Sequence, residues 1–556
     1  MSAGPVPTAA PAAGATGHVQ PDLRGGGSVL AGTGQMLRLA LRRDRIMLPA
    51  WVLGIAGMAT LSAQATVGLY PELPQRVQAA EAINGSAALI ALYGRIYDPT
   101  SLGELSLFKM TAFGAAMIGV FMIILTVRHT RAEEEAGRLE LVGSTVVGRA
   151  APLAAALVVG ALAATGIAVL TAGGLVLAGL PVAGSLAFGV AWGVTGMLFA
   201  AVGATGAQVS LTARAATGFG LVVLAAAYVA RAVGDISEGL PSGLSWLSPI
   251  GWSQQVRAFS GTRWVILVLP VAVTAILVPV AFWLRSRRDL GAGLLPDRRG
   301  PARGSIDSTW GLAARLQRPG FLAWTAAATL MGLVLGSAAD SISGLLDSPA
   351  MVDFLEALGG RQGLVDAFLA AELGVIGALA AGYGVAASRW LHTEEESGRA
   401  ENVLATAAGR RQWAGGHALR AMLGAAVLMV LTGTAIGIGY ALSIGDLSQV
   451  GRLALASAGA VPAAWVMVGL AVVIWGYWPR LSWLAWALFV WFLVMGEFGV
   501  LWDVPGWLRD LSPFAHSPVL PGPDPQLAGI PVMLVLAVGL MALGIRRFTN
   551  RDVVST

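Results

Sequence analysis

The 556-residue chain contains no cysteine. That absence excludes disulfides, thiolate metal sites, a cysteine nucleophile and a lipidated cysteine, and it leaves the redox compartment unmarked. Lysine is almost missing too. Lys109 is the single example, and it lies in LSLFKMT with no glycine before it. The chain therefore lacks the G-x-x-x-x-G-K-[ST] loop that cradles nucleotide phosphates. Charged residues are scarce, at 12% of the chain, and the five histidines (18, 129, 392, 417 and 516) form no metal-ligand set by spacing. These counts nominate no catalytic residue, no metal ligand and no cofactor in this chain.

Apolar residues are abundant instead, at 56%, with a mean hydropathy of +0.71, far above a soluble protein of average usage. The class is an all-α integral membrane protein. A hydrocarbon core of about 30 Å takes roughly 20 apolar residues in a helix. Twelve segments meet that length, centred on 46–66, 110–127, 151–171, 184–206, 216–233, 264–284, 321–339, 367–387, 416–440, 453–475, 482–500 and 529–545.

The first 30 residues are rich in Ala, Pro and Gly, lack the apolar core of a secretory signal, and read as a disordered tail. Counting charges loop by loop with the N-terminus inside puts 27 of the 36 Lys+Arg on the cytoplasmic side, against 14 of the 31 Asp+Glu. Basic residues collect on the cytoplasmic face of membrane proteins. Both termini are thus expected inside the cell, in a multi-pass protein of the plasma membrane. The pI near 9.9 reflects this topology and implies no nucleic-acid partner.

The stretch EEEAGRLELVGSTVVGR, Glu133 to Arg149, leaves the second apolar segment, and EEESGRAENVLATAAGR, Glu394 to Arg410, leaves the eighth. Ten of their seventeen positions are identical at an offset of 261. This is an internal repeat. The basic linker RSRRDLGAGLLPDRRGPARG separates two halves of six spans, which suggests a tail at 1–30, a first half at 31–284, a linker at 285–310 and a second half at 311–556. An even span count gives the halves the same orientation, so a pseudo-two-fold axis along the membrane normal is expected. LALRRDRIMLPAW before span one resembles AARLQRPGFLAW before span seven, each a short amphipathic basic segment suited to the headgroup region. LSP recurs at Leu247–Pro249 and Leu511–Pro513, before the last span of each half. The outer loops after spans one and seven, with AALIALYGRIYD and MVDFLEALGGRQGLVDAF, are spaced like short amphipathic helices that cover the span ends.

Three adjacent carboxylates on a helix fan over roughly 300°, so Glu133, Glu134 and Glu135 cannot all face one partner. A solvated first turn that profits from the helix dipole is the plain explanation for one such loop. Two loops with Glu133–Glu135, Gly137, Arg138, Glu140 and Arg149 matched by Glu394–Glu396, Gly398, Arg399, Glu401 and Arg410 argue for a specified surface, one that a basic partner would bind from the cytoplasm.

This order of Glu, Gly-Arg, Glu and Gly-Arg after the second span resembles the cytoplasmic loop of ABC-type exporter permeases. With twelve fused spans and an EEExGR loop in both halves, the chain is most similar to permeases of actinobacterial polyketide-antibiotic exporters of the tetronasin-resistance kind. Arg138 and Arg399 stand where that loop commonly has Thr, and Gly148 and Gly409 where Ser is common. The resemblance implies that each loop docks on an ATPase and carries its motion to the spans. It implies two copies of a separate ATPase that holds ATP and Mg, and export of a hydrophobic or amphipathic small molecule, an antibiotic or drug, by alternating access.

Two other classes are open. A major-facilitator transporter also has six plus six spans, but it would be expected to carry a basic loop after span two. A membrane-embedded glycosyltransferase would use outer carboxylates, for which Asp98 and Glu104 are available without defining a ligand set. Finally, Lys109 lies 24 residues before Glu133 and Glu372 lies 22 before Glu394, so opposite charges sit at similar depth in spans two and eight. Charges inside a span avoid lipid. Either each reaches the headgroup zone, or the two approach across the pseudo-two-fold axis as an outer gate.

Overall fold

A chain that crosses lipid must satisfy its backbone hydrogen bonds within each segment, and every regular element described is helical. The computed structural model describes residues 28–553 apart from 86, 144, 237–239, 290, 294–305, 307, 345–359, 499–504 and 523–526. Among the described residues eleven helices are long and apolar enough to span: Met47–Leu69, Leu102–Glu135, Ala151–Leu177, Val182–Val209, Ala213–Ile236, Trp264–Ser286, Thr309–Ser337, Val365–Glu396, Arg410–Ile444, Ser448–Tyr477 and Gly529–Thr549. Each covers one expected segment.

The expected segment at 482–500 is not among these eleven. Its described part is the apolar helix Leu484–Phe498, of 15 residues, and 499–504 lie outside the described residues. Pro479 turns the chain after the preceding span, and a single tight turn over Pro479–Leu481 delays the start of the helix. The seventh segment forms a long helix, Thr309–Gly344.

In chain order, the elements that matter below are α1 Thr33–Arg43, α2 Met47–Leu69, α3 Leu73–Asn84, α4 Ala87–Tyr93, α5 Leu102–Arg128, α6 Arg131–Glu135, α7 Arg138–Gly143, α8 Ala151–Leu177, α9 Val182–Val209, α10 Ala213–Ile236, α11 Pro249–Gln255 and α12 Val268–Ser286. The second half continues with α13 Thr309–Gly344, α14 Gly360–Glu396, α15 Arg399–Leu404, α16 Arg410–Ile444, α17 Ser448–Ala458, α18 Val461–Tyr477, α19 Leu484–Phe498, α20 Gly506–Arg509 and α21 Gly529–Thr549.

Each half packs around its own core. In the first, Phe121, Met122, Ile123 and Leu125 of α5 meet Trp192 and Phe199 of α9. In the second, Trp413 and Met422 of α16 meet Val468 and Trp475 of α18. Small residues let the backbones approach: a Cβ on Gly203 of α9 would come within 3.1 Å of the Ile123 backbone. The LSP serines are more than turn formers. Ser248 caps α11 and donates to the Ala227 carbonyl of α10 at 2.6 Å, while Ser512 donates to the Phe492 carbonyl of α19 at 3.1 Å.

The basic segment before span one is a separate helix, α1, as expected, whereas its counterpart before span seven runs unbroken into α13 with Pro319 inside it. At the end of the bundle away from the Glu loops, AALIALY forms α4, which packs on α13 and so joins the halves. Most of the matching loop of the second half, at 345–359, lies outside the described residues, as does most of the linker and residues 1–27 of the tail.

Candidate functional site: two clamped loops and a shared cavity

The EEExGR motif resolves into the same contacts in both loops. The glycine comes first physically. Gly137 and Gly398 both sit at φ +70°, a left-handed conformation that a side chain resists by roughly 1–2 kcal/mol. Each N–H donates back to the carbonyl of the middle glutamate, Gly137 to Glu134 and Gly398 to Glu395, both at 3.0 Å. This reversal ends the helix and folds the next arginine onto the first glutamate. Arg138 Nε lies 2.6 Å from Glu133 Oε2, and Arg399 Nη2 lies 2.9 Å from Glu394 Oε1. In the first loop Arg43 of α1 also pairs with Glu133. Burial, then the charges of Arg128 and Arg138, push the Arg43 guanidinium below its ordinary pKa, while Asp44 pulls it upward.

The middle glutamate is buried and held from outside the loop. Glu134 takes a two-pronged bond from Arg288, Nη1 to Oε1 at 2.6 Å and Nη2 to Oε2 at 2.7 Å, along with the Gly291 N–H at 2.7 Å. Arg131, 3.1 Å from the same carboxylate, donates to the Leu211 carbonyl between α9 and α10. Glu395 takes a two-pronged bond from Arg551 and the Trp475 indole N–H at 2.8 Å. Arg288 and Arg551 follow the last span of their respective halves, and each begins an Arg-Asp dipeptide, Arg288-Asp289 and Arg551-Asp552. The motif's final arginine completes the clamp on the backbone of the same residue: Arg149 donates to the Arg288 carbonyl at 3.3 Å and Arg410 to the Arg551 carbonyl at 2.7 Å.

The third glutamates differ. Glu135 accepts from the Ala213 N–H that opens α10, at 2.8 Å, and Glu396 pairs with His392 at 3.4 Å. Within the chain, ion pairs engage five of these six glutamates and a backbone N–H holds Glu135, because the left-handed glycine and the arginine after each last span bring cations to the first two of each triplet. Beyond the clamp, α7 and α15 face outward. Leu139 and Ala400 are buried and fasten them, while Glu140, Leu141, Glu401 and Asn402 are exposed.

Between the halves, at the loop end of the bundle, lies a cavity of about 800 Å³. It is bounded by the ends of α5, α10, α13 and α14 and by Trp486 of α19. Its volume suits a drug-sized ligand. The guanidinium of Arg214, on α10, stacks over Trp390 of α14 at 4.6 Å, directly joining the two halves.

The other nominated residues take simpler roles. Lys109 is exposed, with its ammonium 5.7 Å from the Phe108 ring centroid, and Glu372 is half-buried. Burial, then electrostatic interaction with Tyr228 and Glu372, holds the Tyr93 phenol above its ordinary pKa. Among the described residues Lys109 and Glu372 form no ion pair with each other. Asp98 and Glu104 make no shared ligand set either: Glu104 accepts the Tyr97 and Asp98 N–H groups at 2.6 and 2.9 Å, and Asp98 accepts the Thr100 N–H at 2.9 Å. The described residues contain no acidic or histidine cluster fit for a metal ion.

Sequence reasoning missed Arg288 and Arg551. The recurring Arg-Asp after each last span was the available signal, hidden because its offset is 263 and not 261.

The family model described as "Multidrug efflux system permease Rv1217c, C-terminal domain" matches residues 34–284 and 306–549. The chain is also 40% identical, over 95% of its length and 96% of the relative's, to the multidrug efflux system permease protein Rv1217c of Mycobacterium tuberculosis (strain ATCC 25618 / H37Rv). A match of this extent, running through both clamped loops and the helices around the shared cavity, shows that the chain belongs to the multidrug efflux system permease family, a family of membrane permeases.

Proposed function

We propose that this permease is the membrane-spanning part of an ABC-type exporter that moves hydrophobic or amphipathic compounds, drugs or antibiotics, out of the cell. ATP and Mg act on two copies of a separate ATPase at the cytoplasmic face of the plasma membrane. The observation that carries this reading is the paired clamp: two outward-facing short helices, α7 and α15, each directly following a glutamate that a buried ion pair locks to the end of a half's last span.

The reading gives each part a task. An ATPase seated on α7 and α15 moves them when it binds and hydrolyses ATP. Close-packed interiors are stiff, so a displacement of either loop passes through Glu134 and Arg288, or Glu395 and Arg551, to α12 or α21. Rocking one half against the other then changes access to the shared cavity. An outer gate closed by Lys109 and Glu372 belongs to the same proposal and calls for a second conformation, because the two do not pair in this one.

Co-purification tests the proposal. The full chain, co-expressed with an ABC ATPase subunit from the same organism, should retain that subunit, and substrate drugs should stimulate ATP hydrolysis by the reconstituted complex. Glu140→Lys with Glu401→Lys should release the ATPase and abolish export while leaving the permease folded, since exposed substitutions usually change stability by less than about 0.5 kcal/mol. Export driven by a proton gradient with no ATPase bound would overturn the proposal in favour of a secondary transporter.

A further inference from the structure

The cavity between the halves has a one-sided charge. Arg128, Arg214 and Arg389 line it and no aspartate or glutamate does. Asp44 pairs with Arg128 at 3.1 Å and offsets it. Arg214 and Arg389 carry no carboxylate partner among the described residues. Glu135, bonded to the Ala213 N–H beside the rim, is not part of the lining.

An arginine placed only to orient the chain in the membrane needs no more than a reach to the headgroups. Arg214 instead sits over the ring of Trp390 of the opposite half, its Cζ 4.6 Å from the centroid. A stacked guanidinium keeps its in-plane N–H groups free for a planar or tetrahedral anion. Apart from Thr217 and Thr393, the remaining walls are apolar and aromatic, including Ile124, Leu221 and Trp486. An apolar body fits those walls, and an acidic head group fits the two unpaired cations.

We propose that the cavity is a binding site selective for amphipathic organic anions, an apolar ring system bearing a carboxylate, sulfonate or phosphate, with Arg214 and Arg389 taking the charge and Trp390 and Trp486 flanking the apolar body. This rests on the export reading for its biological use but not on the energy source, because binding needs neither ATP nor an ATPase. Neutral amphipaths enter the same walls without the charge contribution.

The test uses the full-length permease alone in phosphatidylcholine nanodiscs, titrated with two dyes that share a ring system, anilinonaphthalene sulfonate and the uncharged phenylnaphthylamine, each corrected for empty discs. Wild-type protein should bind the sulfonate saturably. Hydrogen bonds to charged groups contribute about 1.5–3 kcal/mol, so Arg214→Gln with Arg389→Gln should weaken the sulfonate about tenfold or more and leave the neutral dye within about twofold. Arg214→Lys with Arg389→Lys keeps the charge and should retain most of the sulfonate affinity.

Equal weakening of both dyes by the glutamine pair, or no weakening of either, overturns the proposal. So does displacement of the sulfonate when the discs contain phosphatidylglycerol, which would make the occupant an anionic lipid. Failure of ATPase co-purification would sink the energy source alone and leave this site standing.

Discussion

Arg551 grips Glu395 with both terminal nitrogens, Nη1 to Oε1 at 2.5 Å and Nη2 to Oε2 at 2.7 Å, across 156 positions of chain. Arg288 does the same to Glu134 across 154. Each pair is almost wholly out of water, with side-chain exposures of 9% and 2% for the first and 3% and 4% for the second. A run of three glutamates that looks like a solvated patch thus contains one residue on which the joint between loop and bundle depends.

Within the triplet, the middle position should dominate stability. Removing one member of a buried pair costs about 3–5 kcal/mol, because the other charge is left uncompensated. Glu395→Gln should therefore lower the apparent melting temperature of the detergent-purified permease by several degrees. Glu396→Gln, whose side chain is 60% exposed, should shift it hardly at all. Thermal unfolding followed by tryptophan fluorescence separates the two, and equal shifts would refute the assignment.

Gly398 should tolerate asparagine better than alanine. At φ +70° a Cβ costs roughly 1–2 kcal/mol, and asparagine adopts this region more readily than alanine. No atom lies within 4 Å of where the Cβ would be, so the cost is conformational and not steric. Proteolysis at the loop should increase for Gly398→Ala and less for Gly398→Asn, and the reverse order would contradict the backbone argument.

The charge asymmetry along the chain predicts topology. In this cysteine-free protein, a cysteine at the exposed Ala405 should react only with membrane-permeant thiol reagents. One at Leu447, 76% exposed beyond α16, should react with impermeant reagents on intact cells. Labelling of position 405 from outside would invert the orientation.

For the gate, exchange of charges is decisive. Lys109→Glu or Glu372→Lys alone should impair export, and the double exchange should recover it if the two meet when the outer ends close. Single and double variants whose losses simply add would leave both residues as independent interfacial charges.

Much of the organisation was legible before any coordinates. Spans follow from length and hydropathy because lipid imposes one thickness on every helix that crosses it, which is why eleven of the twelve segments reappear as spanning helices among the described residues. At 482–500 the described residues form a 15-residue helix that starts only after Pro479 and its turn, since hydropathy marks the apolar residues while the turn sets where a helix begins. The loop repeat was visible as identity at a constant offset.

The sequence by itself determined that this chain is a membrane protein, where its loops fall and which loop residues recur in both halves, because apolar length and local motifs are written in neighbouring positions. Only the tertiary structure decided what those residues do. Glu133 finds Arg138 five residues away through the left-handed turn at Gly137, a partner within local reach. Glu134, beside it in sequence, finds Arg288 across the whole first half. Arg214 meets Trp390 only because α10 and α14 converge at one end of the bundle. Such partners are chosen by how the helices pack, and packing depends on the shapes of all the side chains between them.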